Sequence, residues 1–166
     1  FNPFLGIEAT SFEMWALTYD YMISYSMEDM SPQPGLAEEW KTSADGLTWT
    51  FTIREGVQWS DGEALTADDI VHTYNRILDG GPEAATWGSY LVGVTSVEAP
   101  DDTTVVLTTK EPNAVLPLLP IPIVPEHVWK DTQGVTLADR AWDVISANLP
   151  FGGGFVVGFA LGFKIG

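Results

Sequence analysis

Cysteine is absent from this chain of 166 residues. Its absence excludes disulfide bonds, zinc sites built on thiolates and catalysis by a thiol nucleophile. Basic residues are scarce as well: 7 lysines and arginines stand against 23 aspartates and glutamates, for a formal net charge of −16. Nucleic-acid-binding proteins and polybasic membrane anchors carry charge of the opposite sign. We therefore expect no nucleic-acid partner.

Histidine is also rare, and the two present, His72 and His127, stand in unlike contexts. Asp68 and Asp69 precede His72 in a predicted helix, where they could share a face with it as metal ligands or as an acid–base pair. Acidic residues in a first helical turn are, however, common partners of the helix dipole, and the same explanation covers Glu126 beside His127. Nucleophile-elbow, phosphate-loop and H-E-x-x-H motifs are missing too. Metal-dependent hydrolysis at His72 stays the least favoured hypothesis. We predict a protein that is not an enzyme, with no catalytic residue, metal or cofactor.

Long apolar runs are missing except at the end of the chain, which reads FGGGFVVGFALGFKIG. A spanning helix needs about 20 apolar residues, so this shorter and glycine-rich tail is not predicted to cross a membrane. A Phe-x-x-Gly tetrad, first at Phe151, occurs four times in succession. Small residues at this spacing let helices approach closely, which makes an interaction or membrane-assembly module one hypothesis. A strand with phenylalanines on one face and mostly glycine on the other is the alternative.

Apolar periodicity predicts interleaved helices and strands. A first helix is expected over about residues 12–24, with Ser11 as its N-cap. The stretch LTWTFTIR at residues 47–54 alternates apolar and polar residues, as a half-buried strand does. A second helix is expected after Thr66, which offers a hydroxyl cap and an acidic first turn. Its predicted buried stripe is Ile70, Val71, Tyr74, Ile77 and Leu78.

The second half of the chain predicts a hairpin and short helices. Gly80 begins a helix-breaking Gly-Gly-Pro run, followed by a loop and then by strands at 91–99 and 103–109. A proline-rich, extended segment leads to a small helix at 126–131, and Thr136 caps a last helix. No linker divides these elements, so the predicted fold class is α/β (mixed α+β) in one domain.

Aromatic residues are abundant, with seven tryptophans, five tyrosines and eight phenylalanines. Trp87 and Tyr90 fall in the predicted loop after the double glycine, where aromatic side chains often line ligand clefts. Packing at the edge of the core is an equally good interpretation of these two. For Trp49 and Phe51, on the apolar face of the predicted strand, core packing is expected.

One long stretch resembles a known family. The segment PGLAEEWKTSADGLTWTFTIREGVQWSDGEALTADDIVHTYNRIL, from Pro34 to Leu78, is similar to the signature of the extracytoplasmic solute-binding proteins of ABC importers for dipeptides, oligopeptides and nickel. Only small exchanges occur, such as Ile53 for leucine and Ala64 for proline. NPFLG near the start, VEAPDDTTVVLTT and IPIVPEHVW resemble the peptide-binding branch as well.

The resemblance covers about residues 1–150 and implies the N-terminal part of a two-lobed periplasmic-binding-protein fold, mainly the outer subdomain of lobe one. Residues 151–166 are expected to be a divergent tail, a truncated return strand in family terms. The resemblance also implies which side chains contact the ligand. These are Phe12, Met14, Tyr19, Asp20, Trp87 and Tyr90.

The resemblance further implies the partners and the location. A peptide or other small solute is the expected ligand, and an ABC permease in the membrane is the expected receiver. We expect a periplasmic or cell-surface monomer, with lipid anchoring through a missing N-terminus as one route. The abrupt start at FNPFLG and the missing second lobe predict a fragment with half a ligand cleft.

Overall fold

A four-stranded sheet with one long helix against it forms the body of the protein. The computed structural model describes residues 3–4, 9–80, 84–116 and 120–131. The helices in these ranges are α1 (Ala9–Thr18), α2 (Ala67–Leu78), α3 (Ala84–Trp87) and α4 (Glu126–Trp129), with a 3-10 turn at Gly88–Leu91. The strands are β1 (Ile23–Tyr25), β2 (Pro32–Pro34), β3 (Ala37–Thr42), β4 (Thr48–Ile53), β5 (Val94–Asp101) and β6 (Thr104–Thr109). This confirms the predicted mixture of helices and strands.

The main sheet is antiparallel in the order β3-β4-β6-β5, and α2 packs against β5 and β6. Phe51 of β4 stands opposite Val105 of β6, and both are buried. Thr52, the next residue of β4, is exposed. The alternation predicted for residues 47–54 is confirmed, because successive side chains of a strand point to opposite faces. Trp49 is half-buried beside Phe51, as expected of the core face.

Helix α2 forms as its local signals predict. The Thr66 side chain accepts from the N3 backbone, and the Asp69 side chain accepts from the backbone N–H of Thr66, which makes a complete capping box. In the predicted stripe, Ile70, Tyr74 and Ile77 are buried, while the other two members are half-buried. Gly80 then adopts φ 78°, a left-handed conformation that suits glycine after a helix.

The first helix differs from its prediction at both ends. α1 begins at Ala9, so Ser11 lies inside it and is not its N-cap. It stops at Thr18, because Ile23–Tyr25 pair with Pro32–Pro34 as an antiparallel strand instead. The pairing continues where the Ala37 amide donates to the Met22 carbonyl at 2.9 Å. Gly35 is required here, since a Cβ at this position would lie 2.6 Å from the Tyr21 oxygen.

Three later predictions need smaller corrections. Trp87 and Tyr90 lie in short helical turns, in α3 and the 3-10 turn, rather than in an irregular loop. The hairpin is confirmed, but β5 begins at Val94 and continues through Asp101, with a register shift near its end. Its tight turn follows, where Asp101 Oδ1 accepts from the Thr103 amide at 3.0 Å. The small helix α4 is confirmed and is shorter than predicted.

The described part of the proline-rich segment contributes to the core without forming a strand. Ile121, Ile123 and Val124 are buried, and the Val124 amide donates to the Thr73 hydroxyl of α2 at 3.1 Å. The helix predicted after Thr136 and the tail at 151–166 lie outside the described residues. Within the described ranges, no helix has the length and apolar character to cross a membrane.

Candidate functional site

Four aromatic rings from two distant parts of the chain meet at one place. We call Phe12, Trp15, Trp87 and Tyr90 the aromatic cluster. The Phe12 ring contacts Trp15 and Trp87 edge to face, with centroids 4.7 Å and 5.5 Å away. Trp87 also lies 6.0 Å from Trp15 and 5.8 Å from Tyr90. The structure thus brings together three of the predicted ligand-binding residues, Phe12, Trp87 and Tyr90.

The cluster has buried and exposed members. Trp87 is only 1% exposed, and its indole Nε1 donates to the Pro3 carbonyl at 2.7 Å. Trp15 is buried beside it. Phe12 and Tyr90 keep 40% and 42% of their surface exposed. Aromatic side chains held by a rigid base can offer apolar contact area at little entropic cost. In this structure Phe12 and Tyr90 offer that area, and Trp87 supports them.

The other predicted site residues lie in α1 or just after it. Met14 is half-buried, and its carbonyl accepts from the Thr18 hydroxyl at 2.8 Å. Tyr19 packs against the core, where burial raises the pKa of its phenol to about 12. Asp20 is exposed, and its backbone carbonyl accepts from the Ile123 amide at 3.0 Å. These three residues are not members of the aromatic cluster.

Two further residues hold the N-terminal segment near this site: Phe4, an aromatic residue near the start whose anchoring role the sequence does not show, and Arg76, which the sequence does not single out. Phe4 is buried, and its carbonyl accepts from the Thr86 hydroxyl at 2.7 Å. The Arg76 guanidinium of α2 lies 5.4 Å from the centre of the Phe4 ring and 5.4 Å from that of Trp129. Arg76 Nη1 also donates to the Trp129 carbonyl at 2.6 Å. The two rings also meet each other edge to face, with centroids 5.7 Å apart, so the cation lies over both of them and is attracted by both ring quadrupoles.

Asp69 joins three segments at the start of α2. Its carboxylate accepts from the Thr66 amide at 2.9 Å, from the Trp59 indole at 3.2 Å and from the Glu126 amide at 2.7 Å. Asp69 is buried, so these bonds replace the water that a carboxylate otherwise needs. At the surface, His127 Nε2 lies 2.8 Å from Asp61 Oδ2. This contact joins α4 to the turn that follows Trp59.

His72 lies in a groove of about 400 Å³ along α2, together with Asp68, Arg76 and Glu126. Burial, and then the Arg76 charge, lower the pKa of the His72 imidazole, which favours its neutral form. In the described ranges, however, no three histidine or acidic side chains are placed to hold a metal ion. The hypothesis of metal-dependent hydrolysis at Asp68 and His72 therefore gains no third ligand.

The sequence matches one known protein family over most of its length. The model of the bacterial extracellular solute-binding proteins, family 5 Middle, matches residues 31–151. A Brucella ovis protein named as a candidate ABC transporter peptide-binding protein is 31% identical over 145 residues, covering 86% of this chain and 27% of that protein. The chain therefore spans about a quarter of the length of the curated relatives that it matches.

Two solved structures show the same fold over a similar share. The substrate-binding protein CtaP of Listeria monocytogenes superposes with a TM-score of 0.70 and 28% identity, over 84% of this chain and 28% of that one. The oligopeptide-binding protein AppA of Bacillus subtilis, solved with a nonapeptide, gives a TM-score of 0.67 and 28% identity over 85% and 28%. The two-lobed architecture of such proteins is matched in part only. The chain belongs to the family 5 bacterial extracellular solute-binding proteins, which serve transport as binding proteins and not as enzymes.

Proposed function

We propose that this chain supplies one wall of a solute-binding cleft in an exported protein that delivers peptides or other small solutes to an ABC permease. The observation that carries the proposal is the aromatic cluster, in which two exposed rings rest on two buried tryptophans. The relatives support the ligand class, since AppA was solved with a nonapeptide and the Brucella ovis protein is named for peptide binding.

The proposed ligand-binding residues have different roles according to how exposed their side chains are. Phe12 and Tyr90 present their rings to the ligand, and Trp87 positions them from the buried side. Met14, Tyr19 and Asp20 extend the wall along α1 and its end, as the family resemblance implies. Such a wall binds the apolar parts of a solute, while backbone groups pair with a peptide main chain. An aromatic wall alone does not select the charged terminus of a peptide.

The second wall is proposed to come from sequence that this chain does not contain. Those relatives are about three times as long as this chain, and the superposed structures are matched over 28% of their length. A ligand held on one side only remains half solvated, so most of the binding free energy is missing. We propose a monomeric, half-cleft fragment of a periplasmic or cell-surface protein, with lipid anchoring through an N-terminus outside this sequence as one route.

Isothermal titration calorimetry on the 166-residue chain tests this proposal. Dipeptides and nonapeptides of varied sequence are titrated into the wild type, into Tyr90→Ala and into Leu17→Ala. Leu17 is an exposed α1 residue outside the aromatic cluster and serves as the matched control. We expect binding weaker than micromolar, reduced further in Tyr90→Ala only. Micromolar binding by the wild type would show that one wall is sufficient and that a second lobe is not required.

A second proposal concerns the tail, because the Phe-x-x-Gly tetrad repeats four times at residues 151–166. Spacing of this kind suits close helix contacts in an assembly. The mass in solution, measured by light scattering, separates the two proposals: a chain ending at residue 150 would become monomeric if the tail assembles it. An unchanged monomer with and without the tail leaves solute binding as the function.

A further inference from the structure

Two methionines stand at the most exposed point of the β1–β2 hairpin. Met27 is 97% exposed and Met30 69%, whereas Met22, in the same part of the chain, is 2% exposed. The chain has no cysteine, so methionine thioethers are its only sulfur atoms. We propose that Met27 and Met30 form a reversible oxidation site, which reacts with peroxide-type oxidants before the rest of the protein does. Oxidation at these two residues is separate from solute binding and does not depend on it.

The hairpin is held together without the two methionine side chains. The Ser26 amide donates to the Ser31 carbonyl at 2.9 Å, and the Met30 amide donates to the Ser26 carbonyl at 3.0 Å. Ser26 Oγ accepts from the Glu28 amide at 3.1 Å, and Asp29 Oδ1 accepts from the Ser31 amide and hydroxyl. Oxidising a thioether at 27 or 30 therefore removes no bond of the turn.

The reaction is a transfer of one oxygen atom. The thioether sulfur attacks one oxygen of hydrogen peroxide, the O–O bond breaks, and the departing hydroxide takes the remaining proton and leaves as water. The sulfur loses two electrons and becomes a sulfoxide, while the peroxide is reduced. Sulfoxide reductases reverse this change at accessible methionines, and reaction at Met22 would place a polar oxygen in the core. Exposure thus selects the sites where oxidation does least damage.

Peptide mass spectrometry, after oxidation of the folded full-length chain and digestion with trypsin, tests the proposal directly. All four methionines precede Lys41, the first tryptic cleavage site, so a single peptide carries both the proposed site and its controls. After graded hydrogen peroxide treatment and fragmentation, we expect Met27 and Met30 to oxidise at least about 10-fold faster than Met22. In urea the rates should converge, which shows that the fold and not the local sequence sets the order.

Two further measurements complete the test. The Met27→Leu, Met30→Leu variant should take up far less oxygen than the wild type under the same conditions, because its remaining methionines, Met14 and Met22, are half-buried and buried. The wild type oxidised at these two residues should keep its melting temperature, and methionine sulfoxide reductases should restore its original mass. Equal native rates at Met22 and Met27, loss of the fold on oxidation of the hairpin, or sulfoxides that the reductases leave in place would each overturn the proposal.

Discussion

The Phe12 ring meets the Trp87 ring edge to face, with centroids 5.5 Å apart, although one belongs to the first helix and the other to a short helix after α2. Because Trp87 is anchored to the Pro3 carbonyl, the N-terminal segment, α1 and α3 are held together around one set of rings. The exposed rings of the proposed cleft wall are thus supported by buried neighbours.

Among the acidic residues of the described part, Asp69 is expected to contribute most to the stability of the fold. Asp69→Ala leaves the Thr66 amide, the Trp59 indole and the Glu126 amide without their acceptor, so unfolding free energy should fall by about 3 kcal/mol. Asp68→Ala is the matched control, because Asp68 is exposed in the same helical turn and its loss removes only a dipole interaction. Urea denaturation measures both. Equal effects of the two substitutions would contradict the role assigned to Asp69.

Replacing Arg76 even with lysine is expected to destabilise the fold. Lysine keeps the charge but lacks the planar guanidinium that lies over the Phe4 and Trp129 rings, so Arg76→Lys should cost about 2 kcal/mol. Arg54→Lys is the control, since Arg54 is exposed and donates to the Gly35 carbonyl at a longer 3.3 Å. Thermal unfolding should show a clear drop in melting temperature for the first variant and almost none for the second. A drop of equal size in both would rule out a special role for the guanidinium plane.

The Asp61–His127 contact predicts a pH dependence of stability. The hydrogen bond from His127, and then that from the Glu63 amide, hold the pKa of the Asp61 carboxyl below its usual value. A carboxyl with a depressed folded pKa stabilises the fold above its unfolded pKa of about 4, and this contribution is lost as the pH falls through the folded value. Asp61→Asn should therefore lose less stability than the wild type between pH 5 and pH 3.

Melting temperatures at a series of pH values provide that comparison. Glu55→Gln is a suitable control, because Glu55 is an exposed glutamate in the turn after β4. Its pH profile should follow that of the wild type over the same range. If Asp61→Asn followed the wild-type profile as well, the contact with His127 would have no energetic consequence.

Elements with complete local signals could be predicted from the sequence. β4 alternates apolar and threonine residues without interruption, and α2 has its cap, acidic first turn and apolar stripe within a single segment. The end of α1 could not be predicted in this way. Met22 and Ile23 continue the apolar stripe of a helix, and the partner that draws Ile23–Tyr25 into a strand instead, β2, is a short strand bounded by prolines.

The site could be predicted in part of its members and not in its arrangement. The family resemblance implies Phe12, Trp87 and Tyr90, and the last two also stand out as aromatic residues after the double glycine. Nothing local shows that Trp15 completes the cluster or that Trp87 is buried. The position of Arg76 beside Phe4 depends on packing between distant segments, and a cation in a helix is ordinarily expected in solvent. Long-range contacts of this kind leave no periodic signal in the sequence.

A hybrid protein provides the most direct test of the proposed cleft wall. Residues 1–131 would replace the matching part of Bacillus subtilis AppA, and calorimetry would measure the Kd for the nonapeptide in the hybrid and in its Phe12→Ala, Tyr90→Ala and Leu17→Ala variants. We predict that the hybrid binds, that Phe12→Ala and Tyr90→Ala each weaken binding about 10-fold, equivalent to about 1.4 kcal/mol, and that Leu17→Ala leaves it unchanged. Unchanged affinity in the Phe12 and Tyr90 variants of a hybrid that binds the peptide would contradict the account.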